Sequence, residues 1–345
     1  MILRVKKEFL WFLILSIPLA ILVGDRGATP DTQIYFDVFK YINNYNLLNP
    51  KEFYVQTGME IGFGWYSWLL SYLTSSSFLL FSFFSLLNFY FIYKTARALK
   101  LPYFYCLLFY VPSAYFFMQQ FMQMRQGLAI SMVIFSIVRL FQSRTDLFAW
   151  CVLIVSFFIH QTSGLVFIFA VIFYLLKNNF LLSIDRIKIT LILAFFVFVV
   201  LFKFFLLNFL VGSFERLQSY ASTDNYSEDI ALFSLPNIRT MVVVSFLLFF
   251  SKENILKRDE YKFFLYLMVI ALAARVGFSE FAIMSGRLST AFSYVEIFVL
   301  PILFLSRFNK LYCLLFAIVY FILQIVITLG FQAPYLLDLY FSPLY

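Results

Sequence analysis

Arg125 and the single histidine, His160, are the residues whose chemistry most needs a reason in so apolar a chain. Arg125 stands in Met118-Gln119-Gln120-Phe121-Met122-Gln123-Met124-Arg125-Gln126-Gly127-Leu128-Ala129, where four glutamines surround one guanidinium. An arginine at mid-bilayer costs roughly 3 kcal/mol or more, so such residues face a cavity or a partner. Its fork of donors fits phosphate oxygens two at a time. The bland alternative is a snorkelling arginine that ends a helix. The glutamines weigh against it, because amides near apolar surface also need partners.

His160 opens the turn His160-Gln161-Thr162-Ser163-Gly164. From Arg144 to Lys177 the chain has only about 30 residues for two crossings, where about 40 are usual, so the turn is expected in a recess. The helix that starts near Arg125 descends and the next one climbs back a similar distance, which sets both residues at one depth. An arginine and a neutral imidazole at one level suit a leaving phosphate and a hydroxyl nucleophile that needs a base. A structural histidine, bonded through one ring nitrogen, is the competing reading.

Further candidates are more loosely defined. Arg275 and Arg287 bracket an expected external loop, 276–286, that ends in Ser285-Gly286-Arg287 and contains Glu280. Asp31 and Glu60 could hold a metal, orient a sugar hydroxyl or pair with an arginine, but their spacing is not that of a metal site. Glu296 lies inside an apolar run with Lys203 as a conceivable partner. No P-loop, dinucleotide turn, zinc motif or nucleophile elbow is present.

The elements that must position these residues are membrane helices. Hydrophobic residues make up 63% of the 345 and charged residues 13%, about half the charged share of a soluble domain. The net charge of +8 reflects basic loops on one membrane side, not nucleic acid as a partner. Cys106, Cys151 and Cys313 form neither a metal pattern nor a disulfide framework. Twelve apolar runs can be drawn: 9–23, 61–73, 78–93, 101–117, 127–141, 147–159, 163–176, 189–210, 241–250, 263–274, 288–305 and 311–330. The first is read as a retained anchor, and the run 61–73 as re-entrant or interfacial. The expectation is an all-α, polytopic bundle of about 11–12 transmembrane segments. It forms one transmembrane domain over 1–345, with external loops 24–58, 212–237 and 276–286. Most of the 26 Lys and Arg fall on segments assigned to the cytoplasm, which places Arg125, His160, Arg275 and Arg287 on the external face.

At Asp31-Thr-Gln-Ile-Tyr35, Glu60-Ile-Gly-Phe63, Met124-Arg-Gln-Gly-Leu-Ala129, His160-Gln-Thr-Ser163 and Ser285-Gly-Arg287, the chain resembles the EpsG family of Wzy-like polysaccharide polymerases. The arginine helix followed by the histidine hairpin is the specific part. The resemblance implies a GT-C-like architecture in the bacterial cytoplasmic membrane, with an active site facing the periplasm or cell exterior. It further implies undecaprenyl-pyrophosphate-linked glycans as donor and acceptor, the lipid bilayer and a chain-length regulator protein as partners, and no cofactor. On that reading His160 and Arg125 are catalytic. Arg287, Arg275, Gln126, Asp31, Glu60 and Tyr35 bind substrate or pyrophosphate, and no metal is required. Rival readings are a flippase or transporter of lipid-linked glycans, which shares the need for cavity-facing arginines, and a polysaccharide-to-lipid ligase. A surface acyltransferase is disfavoured because no acyl-transfer histidine–aspartate pair is present.

Overall fold

Each of the twelve apolar runs folds as helix over most of its described length, and the described residues contain no strand. The computed structural model describes residues 7–179, 182–206 and 231–343. Of the expected loop 212–237, with Glu215, Arg216, Asp224, Glu228 and Asp229, residues 212–230 lie outside the described residues. The chain divides into two compact units, Met1–Leu165 with Lys310–Tyr345, and Val166–Asn309.

In the first unit, α1 (Lys7–Gly24) lies against α5 (Ser77–Ala98). The two are antiparallel. Glu8 near the start of α1 pairs with Arg97 near the end of α5 at 3.1 Å, while a Cβ on Gly24 would meet the Ser82 side chain near the start of α5. The start of α1 and the basic end of α5 therefore share one end of the unit. Everything in the chain between α1 and α5 must leave and return at the other end.

That intervening stretch is folded rather than loose. It contains α2 (Thr32–Lys40), a 3₁₀ turn at Ile42–Asn44, α3 (Pro50–Thr57) and α4 (Ile61–Ser71). Asn49 accepts a hydrogen bond from the Glu52 N–H and Pro50 follows it, so α3 starts with both a cap and a preset φ. Gly58 takes the left-handed conformation that ends it. Eleven residues of α4 rise only about 16 Å, roughly half the hydrocarbon thickness. α4 packs through Phe63, which is fully buried and meets the rings of Tyr35, Tyr66 and Phe84.

The run 101–117 is broken, into α6 (Tyr103–Tyr110) and α7 (Ala114–Phe121), across the turn that holds Pro112. Proline cannot supply the N–H that a continuous helix would need there. A second break at Met122–Gln123 starts α8 (Met124–Gln142), followed by α9 (Leu147–Ile159) and α10 (Thr162–Leu176). Asp146 caps α9 through the Ala149 N–H and holds Arg139 at 2.6 Å, closing the α8–α9 hairpin at its basic end.

Six helices among the described residues are long and apolar enough to cross a membrane: Lys7–Gly24, Ser77–Ala98, Met124–Gln142, Ile187–Leu206, Met284–Arg307 and Lys310–Gln332. α9, α10 and Leu235–Phe250 are apolar but shorter. The chain is thus an all-α polytopic membrane protein. Fewer runs reach crossing length than the eleven or twelve expected because several are interrupted or truncated by polar turns. In the second unit, the expected loop 276–286 shrinks to Phe278–Phe281, since helix Asp259–Gly277 runs further and the next begins at Ala282. Glu296 there pairs with Arg239 at 2.6 Å, not with Lys203, which instead meets Glu280 at 2.9 Å.

Candidate functional site

Three helix ends meet at the end of the first unit opposite the basic one. Glu60 precedes α4, Arg125 is the second residue of α8, and His160 ends α9. Their side chains converge on the Glu60 carboxylate. Arg125 Nη1 is ion-paired to Glu60 Oε2. Glu60 Oε1 accepts from the Gln161 N–H at 3.3 Å and lies 3.9 Å from His160 Nε2. Side-chain exposures of 13%, 15% and 17% for Arg125, Glu60 and His160 mark a site that is partly sheltered yet open to a ligand.

α2 adds Tyr35, buried, whose hydroxyl accepts from Arg125 Nε at 3.4 Å and whose ring centroid is 5.6 Å from the guanidinium carbon. Arg125 Nη2 reaches the Gly58 carbonyl at 3.5 Å. Both bonds are long, so the ion pair with Glu60 dominates the guanidinium's orientation.

The hairpin turn sets the state of the imidazole. The Thr162 backbone N–H donates to His160 Nδ1 at 3.2 Å, and Thr162 Oγ1 lies 2.9 Å from the same nitrogen. With Nδ1 accepting, the neutral ring carries its proton on Nε2, toward Glu60. At 3.9 Å that contact is too long for a direct hydrogen bond, and the gap suits an oxygen that bridges Nε2 and Oε1.

Glycines allow the approach. A Cβ on Gly62 would sit 2.6 Å from the Phe158 carbonyl oxygen, so only glycine lets α4 close on the last turn of α9. A Cβ on Gly127 would come within 2.7 Å of Gln119 Cβ, where α8 folds back beside α7.

The flanking glutamines divide. Gln120 donates to the Tyr110 hydroxyl at 2.9 Å, and Asn88 donates to the same oxygen at 3.3 Å. Gln119 and Gln126 are buried within the helices, and Gln123 stands at the break before α8. Asp31 is exposed at the start of α2 with φ 63°, one turn before Tyr35. Arg275 and Arg287 belong to the second unit, in the last turn of Asp259–Gly277 and on the helix Ala282–Ser293, where Ser285 Oγ donates to the Arg275 carbonyl at 3.1 Å.

One residue near the site was missed by sequence reasoning. Arg26, two residues past α1, is 5% exposed. Its guanidinium carbon lies 4.1 Å from the Phe81 ring centroid and 5.5 Å from that of Phe121, and its Nε donates to the Val23 carbonyl at 3.0 Å. Burial pushes its pKa down to about 9, partly offset by Tyr35, so it remains a cation at neutral pH. An arginine just beyond a helix reads as an interfacial anchor, and no local signal distinguishes the two cases.

A polytopic helical membrane protein with an arginine, a carboxylate and an imidazole joined at one sheltered end is the class that fold and site define. The profile of the EpsG family matches residues 9–340, and the chain belongs to that family. It is 33% identical over 95 residues to the amylovoran biosynthesis protein AmsC of Erwinia amylovora, a stretch covering 26% of this chain and 23% of that protein. No solved structure matches it.

Proposed function

We propose that this protein polymerises undecaprenyl-pyrophosphate-linked oligosaccharide repeat units into an exopolysaccharide, capsule or O-antigen at the external face of the bacterial cytoplasmic membrane. The observation that carries the reading is the Glu60 carboxylate, held by Arg125 on one oxygen and facing His160 across a 3.9 Å gap on the other. Membership of the EpsG family and the likeness to a protein named for amylovoran biosynthesis support polysaccharide assembly.

In the proposed step, the acceptor sugar hydroxyl occupies the gap. Its oxygen accepts from His160 Nε2–H and its proton passes to Glu60 Oε1. The oxygen attacks the anomeric carbon of the donor, the new C–O bond forms, and the bond to pyrophosphate breaks. Undecaprenyl pyrophosphate leaves with the electron pair, and Arg125 stabilises the negative charge. Arg125 cannot bind a phosphate fully while it is held by Glu60. Its transfer to the donor would release the carboxylate and make it a better base, so donor binding would prepare the proton acceptor.

Glycan analysis of a strain deleted for this protein tests the function. Single repeat units on the final carrier, in place of long polymer, are the expected result. Loss of all external repeats would instead favour a flippase.

A further inference from the structure

Resting on that reading of the site, we propose that Arg26 is a second phosphate-binding residue, and that the pyrophosphate of the lipid-linked donor is held between Arg26 and Arg125. Charge is the first argument. Arg125 is already neutralised by Glu60, and the neutral imidazole adds nothing, so the cluster of three has no charge to spare for an anion. Arg26 supplies it. Among the described residues no carboxylate is within ion-pairing distance of Arg26, and its Nη1 is buried without a hydrogen-bond partner. A cation kept unpaired inside a protein is costly in itself and points to a ligand that completes it.

Position is the second argument. The Phe121 ring beside Arg26 ends α7 three residues before α8 begins with Arg125 as its second residue, and Tyr35, which touches the Arg125 guanidinium, also bears electrostatically on Arg26. The Tyr35 hydroxyl is held to Arg125 only by a long bond of 3.4 Å, which a phosphate oxygen can replace on the guanidinium. Rigidity is the third. The Gly27 N–H donates to the Tyr340 carbonyl at 2.9 Å and the Ala28 N–H to that of Ser342 at 3.0 Å. A Cβ on Gly27 would sit 1.9 Å from the Ser342 oxygen. This backbone clamp, with the Phe81 and Phe121 rings, holds the guanidinium in place before any ligand arrives.

The test is equilibrium binding of farnesyl diphosphate and farnesyl monophosphate to the purified full-length protein in nanodiscs. Wild type should prefer the diphosphate. Arg26→Met fills the sleeve between the rings without charge, and Arg26→Gln keeps a donor for Val23. Both should weaken diphosphate binding about tenfold or more and leave the monophosphate within about twofold. Arg125→Met should weaken both ligands. Wild-type affinity for the diphosphate in a folded Arg26→Met or Arg26→Gln protein would overturn the role of Arg26 while leaving the proposed function standing. Absence of diphosphate binding by the wild type would overturn both. Should neither neutral variant fold, Arg26→Lys decides: a point charge should weaken the diphosphate about threefold or more, and unchanged affinity would overturn the proposal.

Discussion

Arg125 and His160 are individually legible in the sequence because a guanidinium and an imidazole are costly in apolar surroundings. What joins them is a carboxylate 65 residues away from Arg125 in the chain; the sequence offers Glu60 and Asp31 alike as partners for an arginine, and no local pattern chooses between them. Arg26 is harder still to see, since the rings that cover it, Phe81 and Phe121, come from helices distant in the chain. The imidazole's tautomer likewise follows from a turn geometry that only the structure gives. It separates two roles for His160. If Nε2–H positions the acceptor oxygen, His160→Gln keeps an N–H donor and should retain clearly more polymerase activity than His160→Ala, while Glu60→Gln should lose about a hundredfold or more. Equal loss in both histidine variants, measured with purified enzyme, would return the base to the imidazole. For Arg125, a point charge cannot reproduce two parallel bonds to phosphate, so Arg125→Lys should stay about a hundredfold down in rate. Near-normal polymer from Arg125→Ala at normal expression would make it a structural anchor.

At the scale of elements, hydropathy locates the helices well and their ends badly. The runs 127–141 and 147–159 fold close to their expected limits, because apolar periodicity and the Asp146 cap act locally. The break at Pro112 and the shortening of the 276–286 loop depend on how the helix ends pack, which hydropathy does not record. The pairing of Glu296 with Arg239 was likewise hidden, since sequence distance says nothing about which buried cation arrives. The α4–α9 contact gives a prediction of its own. Gly62→Ala must push α4 away from the Phe158 carbonyl, at a cost of about 1–3 kcal/mol in stability. Because Glu60 rides on the start of α4, activity should fall by more than thermal stability suggests. A variant that melts lower but polymerises normally would show that the Glu60–His160 spacing is not critical.

For the whole molecule, the antiparallel α1–α5 pair accounts for a puzzle of parity. The sequence offers three apolar runs before the basic segment Lys94–Lys100, yet an even number of crossings is needed to keep the N-terminus on the same side. The Glu8–Arg97 contact puts the start of α1 and the basic end of α5 at one end, and α4 is too short to add a crossing. Exposed positions allow the proposed orientation to be checked in a variant lacking its native cysteines. Leu48→Cys and Gln161→Cys should react with a membrane-impermeant thiol reagent in intact cells, and Thr145→Cys only after permeabilisation. The reverse pattern would place the site in the cytoplasm. The central claim is that the Glu60–Arg125–His160 cluster joins lipid-linked repeat units, and it is met most directly by reconstitution. Purified protein in nanodiscs, given an undecaprenyl-pyrophosphate-linked repeat unit, should produce a ladder of chains with release of undecaprenyl pyrophosphate. The Glu60→Gln protein, folded and present in equal amount, should produce almost none. Unextended repeat units with the wild type, or an equal ladder from Glu60→Gln, would contradict the account.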